Sequence, residues 1–147
     1  MGAESDPVMD FPIAVLGESI RITALSTGTT HAVIFVDRLP EDAEFLRLSP
    51  ALENHPLFPE RTSVMWTRVA DSEDLQLRIW ERGVGETWGC GTGACAAAVA
   101  AILHGFAASP VEVRSKGGAL RVEWCEGESI FLTGPAEYVY EGCLTSD

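Results

Sequence analysis

A glycine-rich loop between a strand-like and a helix-like segment constrains this chain more than any other feature. Leu75 to Glu81 alternates apolar and polar side chains, as a half-buried strand does, whereas Gly93 to His104 carries Ala, Val, Ile and Leu at helical spacing. Cys90 lies between them, just ahead of the expected helix N-terminus. Unpaired amides and the helix dipole favour negative charge there. We therefore expect a stabilised thiolate at Cys90 and a carboxylate site at the amides of Gly91, Thr92 and Gly93.

Composition narrows the class of protein. The chain has 147 residues, of which 46% are hydrophobic, so we expect a single domain over residues 1–147 with a real core. A formal net charge of -12 disfavours nucleic acid and anionic membranes as partners. No apolar run approaches the roughly 18 to 20 residues of a membrane span, and no basic, signal-like N-terminus is present. The sequence thus predicts a cytoplasmic protein whose 4 cysteines are thiols.

The remaining pattern predicts an α+β fold rich in antiparallel strands. An irregular lead-in is predicted for residues 1–12 and a helix from Pro40 to Asn54, while Gly105 should end the apolar helix. Because that helix is apolar almost all round, we expect a mostly antiparallel sheet curled around it. Strands are predicted at Ser19 to Ala24, Ala32 to Val36, Val64 to Val69, Leu75 to Glu81, Val111 to Ser115, Ala119 to Trp124, Ser129 to Thr133 and Glu137 to Tyr140.

Two other interpretations of the loop are weaker. Gly89-x-Gly91-x-x-Ala94 matches a dinucleotide fingerprint, but the strand ends too far upstream and the later Gly117-Gly118 turn indicates an antiparallel hairpin. Cys90 and Cys95 lack a second Cys/His pair and do not share a helix face. We therefore expect no metal site, and Cys95 is interpreted as a small core residue.

The run from Glu81 to Ala101 closely resembles the second cysteine motif of the diaminopimelate epimerases, cofactor-independent isomerases of lysine synthesis. Gly28 to Val33, His55 to Thr62 and Leu132 to Ala136 resemble further motifs of that family. The resemblance spans nearly the whole chain. It covers only half of the family's protein, because the first cysteine motif, Cys-Gly-Asn-Gly, has no counterpart here.

The resemblance implies a fold, a reaction and roles for particular residues. The family's fold is a sheet curled round a central helix, and its reaction interconverts LL- and meso-diaminopimelate without a cofactor by two-cysteine acid/base catalysis. Thr29 and Ser63 stand at two substrate-contacting positions where the family shows other residues. The resemblance implies Cys90 as one catalytic thiol, Glu81 and His31 in support, and Arg82, Gly91 and Thr92 as substrate-binding residues, with Thr29 and Ser63 beside them.

Several alternatives remain open at this point. His31 could be a satisfied core histidine, and Glu81-Arg82 a solvated pair at a strand end. Because one thiol serves only one face of a carbon atom, we expect the chain to be nearly inactive without an N-terminal half, and to self-associate through exposed apolar surface. A racemase or epimerase for another amino acid and a non-catalytic anion-binding domain are the rival functions.

Overall fold

The computed structural model describes residues 6–146, and this part of the chain contains nine strands and two helices. The strands are β1 (Val8–Val15), β2 (Glu18–Ser26), β3 (Thr30–Phe35), β4 (Ser63–Asp71), β5 (Asp74–Glu81), β6 (Gly85–Thr87), β7 (Val111–Ser115), β8 (Gly118–Glu123) and β9 (Phe131–Thr133). The helices are α1 (Asp42–Glu53) and α2 (Gly91–Leu103).

All the strands belong to one mixed sheet with the order β1-β2-β3-β4-β5-β7-β8-β9, and β6 pairs with β5. Neighbours are antiparallel except β3 with β4 and β5 with β7, which are parallel. Parallel neighbours need a crossover connection. Helix α1 provides it between β3 and β4, and β6 with α2 provides it between β5 and β7. The predicted α+β class and the antiparallel order of β7, β8 and β9 are confirmed.

Helix α2 is the centre of the larger core. It contacts β2, β3, β4, β5, β7 and β8, so the sheet curls around it as predicted. Every residue from 94 to 101 is buried, and they pack against Val33, Met65, Ile79 and Val113. Six of those eight residues are alanines, whose small side chains let the strands approach the helix closely.

The ends of α2 follow local sequence signals. Cys90 is the N-cap residue, with the extended φ of -149° and ψ of 110° typical of that position. At the other end Gly105 has a φ of 75°, a left-handed conformation that glycine adopts without strain. The amides of Gly105 and Phe106 donate to the carbonyls of Ile102 and Ala101, which is the Schellman pattern of helix termination. The predicted boundary at Gly105 is confirmed.

Helix α1 covers the opposite face of the sheet. Phe45, Leu48 and Leu52 of α1 are almost completely buried against a second cluster that includes Ala32 and Trp66. Side chains alternate along a strand, so neighbours of residues that face α1 must face α2. This alternation directs the side chains of the candidate site.

Three predictions about strands need correction. Strand β1 begins at Val8, so the predicted lead-in is wrong for residues 8–12, and residues 1–5 of it lie outside the described residues. Glu137 to Tyr140 is not a strand, since it pairs with no neighbour in the described range. Strand β6 was not predicted. Within residues 6–146, no helix has the length and apolar character required to cross a bilayer.

Candidate functional site

Four elements meet where β3 and β4 begin and β5 ends. His31 on β3 pairs with Ser63 on β4. Val64 pairs with Trp80, so the register places Glu81, the last residue of β5, beside Ser63. These side chains lie on the α2 face because they alternate in step with Val33, Met65 and Ile79 of the α2 core. The N-terminus of α2 completes the cluster.

Cys90 is held at this helix N-terminus through both its side chain and its backbone. Its Sγ accepts a hydrogen bond from the Gly93 amide at 3.3 Å, and its carbonyl accepts one from the Ala94 amide at 2.8 Å. The amides of Gly91 and Thr92 have no acceptor within the helix, as at every helix start. The first turn contains no acidic residue that would compete for them. This geometry suits a thiolate at Sγ and an external carboxylate beside it.

Thr92 bridges Cys90 and His31. Its Oγ1 lies 3.5 Å from Cys90 Sγ and 3.5 Å from His31 Nε2. A hydroxyl has one proton, so Thr92 donates to either the sulfur or the imidazole, but not to both at once. The three side chains therefore form a continuous polar path at the start of α2.

His31 is fully buried and its tautomer is fixed by the backbone. Nδ1 lies 2.8 Å from the Thr29 carbonyl, which can only accept, so Nδ1 carries the proton and Nε2 is the acceptor. Burial lowers the pKa of His31 from its ordinary value of 6.5, and the Arg82 charge adds to this, while the Thr29 carbonyl and Glu81 act in the opposite direction. His31 is thus a neutral imidazole at pH 7.

Hydrogen bonds hold Ser63, Glu81 and Arg82 in place. Ser63 Oγ accepts from the Arg82 amide at 3.0 Å, and the Arg82 guanidinium donates to the Glu60 carbonyl at 3.2 Å. Glu81 accepts from Thr87 Oγ1 at 2.7 Å. The turn after β5 is therefore tied to β4, and the positive charge of Arg82 lies close enough to act on His31.

A buried carboxylate that the sequence did not reveal supports the same turn. Glu53, at the end of α1, accepts hydrogen bonds from Trp80 Nε1 at 2.9 Å, Gly83 N at 2.7 Å and Arg61 Nη1 at 3.1 Å. It is 6% exposed. Glu53 and Gly83 are thirty positions apart, and no local sequence pattern links residues at that separation. The sequence alone shows only a Glu at the end of a predicted helix. Glu53 fixes the backbone just after Arg82.

The other cysteines differ from Cys90 in their surroundings. Cys95 is buried in the α2 core, and burial, with a smaller contribution from Cys90, raises the pKa of its thiol. The interpretation of Cys95 as a core residue is confirmed. Cys125 and Cys143 are exposed. The half-buried Cys90 alone among these thiols lies at a helix N-terminus.

The structure brings the predicted site residues into one cluster at the end of the sheet. Cys90, Thr92 and His31 are linked directly, and Ser63 with Glu81 lies in the adjoining row of side chains. Thr29 joins only through its backbone carbonyl, since its own side chain is exposed. The arrangement offers a thiol, a hydroxyl, a neutral imidazole, free helix amides and a guanidinium, which together could bind a carboxylate and move a proton beside it.

The sequence matches a known protein family. The sequence model described as diaminopimelate epimerase matches residues 23–139. A diaminopimelate epimerase of Ectopseudomonas mendocina is 49% identical over 135 residues, which is 91% of this chain and 49% of that protein. A diaminopimelate epimerase of Desulfitobacterium hafniense is 44% identical over 98% of this chain and 50% of that protein. The chain thus spans about half the length of these relatives.

Solved structures show the same fold at low sequence identity. A Bacillus anthracis protein of the phenazine biosynthesis PhzF family superposes with a TM-score of 0.52 at 16% identity, over 77% of this chain and 38% of that one. An Enterococcus faecalis member gives a TM-score of 0.50 at 19% identity, over 67% of this chain and 35% of that one. The predicted sheet around a central helix is thereby confirmed as a known architecture.

Proposed function

Since this chain belongs to the diaminopimelate epimerase family, we propose that it is the half of such an isomerase that carries one of two acid/base thiols. The observation that carries the proposal is Cys90 at the N-cap of α2, with its sulfur 3.3 Å from the Gly93 amide and 3.5 Å from Thr92 Oγ1. The substrate is an amino acid, and diaminopimelate is the first candidate because the relatives carry that name.

The proposed chemistry inverts an α-carbon without pyridoxal phosphate. A thiolate on one face removes the α-proton, which breaks the C–H bond and leaves the electron pair on carbon, and a thiol on the opposite face donates a proton to that carbon. Cys90 serves one face. The amides of Gly91 and Thr92 and the Arg82 guanidinium bind the α-carboxylate, and their fixed dipoles stabilise the carbanion as charge develops.

Thr92 and His31 assist Cys90 in this proposal. When Cys90 is a thiolate, the Thr92 hydroxyl donates to sulfur, and when Cys90 is a thiol the hydroxyl can turn to the free Nε2 of His31. A neutral imidazole can accept that hydrogen bond, whereas a protonated one cannot. Glu81 and Ser63 shape the adjoining wall, where Thr29 and Ser63 replace side chains of the family pattern and bear on which amino acid is accepted.

The second thiol must come from outside the cluster. Among the described residues, Cys95 is buried within α2, and Cys125 and Cys143 have no helix N-terminus beside them. We therefore propose that a partner N-terminal half supplies the second thiol and closes the site against water, which strengthens its electrostatics. Without that half we expect little or no turnover.

The test is exchange of the α-proton in deuterated water, followed by proton NMR with LL-diaminopimelate. We expect loss of the α-proton signal when the chain is mixed with the N-terminal half of a family member, and little loss with the chain alone. Cys90→Ala should lower the exchange rate by at least about 100-fold, because it removes an acid/base group. Cys125→Ala, which changes an exposed thiol, is the matched control and should exchange like the unchanged chain.

Two outcomes would redirect the proposal. Exchange of another amino acid but not of diaminopimelate, by the same mixture, would favour the racemase alternative and keep Cys90 in its role. Absence of exchange with every amino acid, in a mixture shown to be folded and associated, would favour a binding domain that uses only the helix amides.

A further inference from the structure

The loop that carries Cys90 has few side chains of its own to hold it. Trp88 is 69% exposed, and Gly89 is exposed and has no side chain. The loop runs from the end of β6 at Thr87 to the start of α2 at Gly91. Burial of its own side chains therefore cannot fix its position, and its backbone contacts must do so.

One carbonyl of this loop accepts two short hydrogen bonds, one from the end of β7 and one from the turn that follows it. The Trp88 carbonyl accepts from Ser115 Oγ at 2.6 Å and from the Gly117 amide at 2.7 Å. These two donors satisfy both lone pairs of the carbonyl oxygen. We call this arrangement, formed by the Trp88 carbonyl, Ser115 and Gly117, the carbonyl anchor.

One further contact, and a close approach of two backbones, bring the same turn against the same strand-to-helix segment. Lys116 Nζ lies 3.1 Å from Glu86, two residues before Trp88. A Cβ atom at Gly117 would lie 2.8 Å from the Trp88 oxygen, closer than real Cβ atoms come. The absence of a side chain at Gly117 thus permits the approach that the anchor requires.

From this geometry we propose that Ser115 is a positioning residue for Cys90, acting through the Trp88 carbonyl. The proposal rests on the proposed role of Cys90 as an acid/base thiol. Fixing the Trp88 carbonyl fixes the peptide two residues ahead of Cys90, and so holds Sγ at the Gly93 amide. Without the Ser115 hydroxyl the loop samples positions in which the sulfur is away from the helix N-terminus, where a thiolate is less stabilised.

The test follows alkylation of Cys90 by iodoacetamide as a function of pH, read by peptide mass spectrometry on the full chain. The exposed thiols of Cys125 and Cys143 serve as internal references. We expect Ser115→Ala to slow Cys90 alkylation at pH 7 by about threefold to tenfold, which corresponds to the loss of one hydrogen bond. The pH of half-maximal rate should rise with it, while the reference thiols stay unchanged.

Three variants separate positioning from a general structural effect. Ser115→Thr keeps the hydroxyl, so its pH profile of Cys90 alkylation should match that of the unchanged chain. Gly117→Ala should shift this profile in the same direction as Ser115→Ala. Ser109→Ala is the matched control, because Ser109 Oγ also bonds a backbone group, the Trp124 amide at 3.0 Å, and has no contact with the anchor. It should leave the Cys90 profile as it is.

The proposal is overturned if Ser115→Ala leaves the Cys90 profile unchanged, or if Ser109→Ala shifts it equally. Either result is independent of the isomerase proposal, since alkylation reports the setting of the thiol and not turnover. The isomerase proposal can also fail by itself. If the mixture of this chain with an N-terminal half shows no α-proton exchange while Cys90 alkylation still depends on Ser115, the proposed function is wrong and the positioning role of the carbonyl anchor stands.

Discussion

At the scale of single residues, Gly93 shows how tightly the start of α2 is packed. A Cβ atom placed on it would lie 2.5 Å from Met65 Sδ and 3.2 Å from Cys90 Sγ. We expect Gly93→Ala to reduce the free energy of unfolding by about 1 to 3 kcal/mol, as overpacking of a filled core does. It should also displace Sγ and slow Cys90 alkylation. Urea unfolding and the alkylation assay would measure the two effects.

Gly89 offers a control within the same loop. A Cβ atom there meets nothing nearer than Ser115 Oγ at 4.0 Å, so Gly89→Ala should change the unfolding free energy by less than about 0.5 kcal/mol. Equal losses of stability from the two substitutions would contradict the packing argument for Gly93.

His31 gives a prediction about pH. Because burial lowers its pKa below the ordinary value of 6.5, the unfolded chain binds a proton at this residue more readily than the folded chain does. The stability that His31 contributes is therefore present above pH 6.5 and is lost as pH falls from 6.5 through the lowered pKa.

The measurement is the free energy of unfolding between pH 7.5 and 5, compared with His31→Gln, which has no titrating group. We expect the unchanged chain to lose stability towards acid more steeply than the variant across this window. The variant should be less stable overall, since a different side chain must satisfy the Thr29 carbonyl. Parallel curves for the two proteins would contradict a lowered pKa.

At the scale of elements, α2 is specified by alanine rather than by large apolar side chains. Ala97 is fully buried between the helix and the curled sheet, so Ala97→Leu should cost about 1 to 3 kcal/mol of unfolding free energy. Ala43→Leu makes the same change at an exposed position of α1 and should cost less than about 0.5 kcal/mol. Thermal or urea unfolding of both variants tests this. A loss for Ala97→Leu as small as that for Ala43→Leu would mean that the core around α2 has space for a larger side chain.

The elements that the sequence predicts are those with regular periodicity and local end signals. Helix α2 was predicted from Gly93 to His104 and runs from Gly91 to Leu103, because Cys90 and Gly105 mark its ends. Strand β1 was missed because Pro12 and a bulge near Asp10, where φ is 46°, interrupt its alternation. An edge strand tolerates both features.

The predicted strand from Glu137 to Tyr140 shows the opposite error. Its apolar side chains suit a strand, but Tyr138, Val139 and Tyr140 are 84% to 86% exposed and no neighbouring strand lies beside them in the described part of the chain. Strand formation requires a pairing edge as well as a propensity. The contacts of Glu53 and Ser115 were unpredictable for a related reason, since each joins residues that are distant in sequence and meet only in the folded sheet.

At the scale of the whole molecule, large apolar side chains remain exposed. Besides Trp88 and the residues from Tyr138 to Tyr140, Val84 is 70% and Phe131 is 63% exposed. Exposed apolar surface favours association, so we expect the chain alone to form concentration-dependent oligomers. Sedimentation velocity over a wide concentration range measures this, and addition of an N-terminal half from the family should reduce the effect. A monomer at every concentration would contradict the expectation.

The parallel pairing of β5 with β7 also has a consequence for the order of synthesis. Leu75 pairs with Val113, and everything that carries Cys90 lies between these two strands in the sequence. Ser115 and Gly117, which hold the Trp88 carbonyl, are made after the thiol that they position. A chain emerging from the ribosome therefore carries Cys90 before its site exists, and the site assembles only once β7 and the turn after it have left the exit tunnel and joined the sheet.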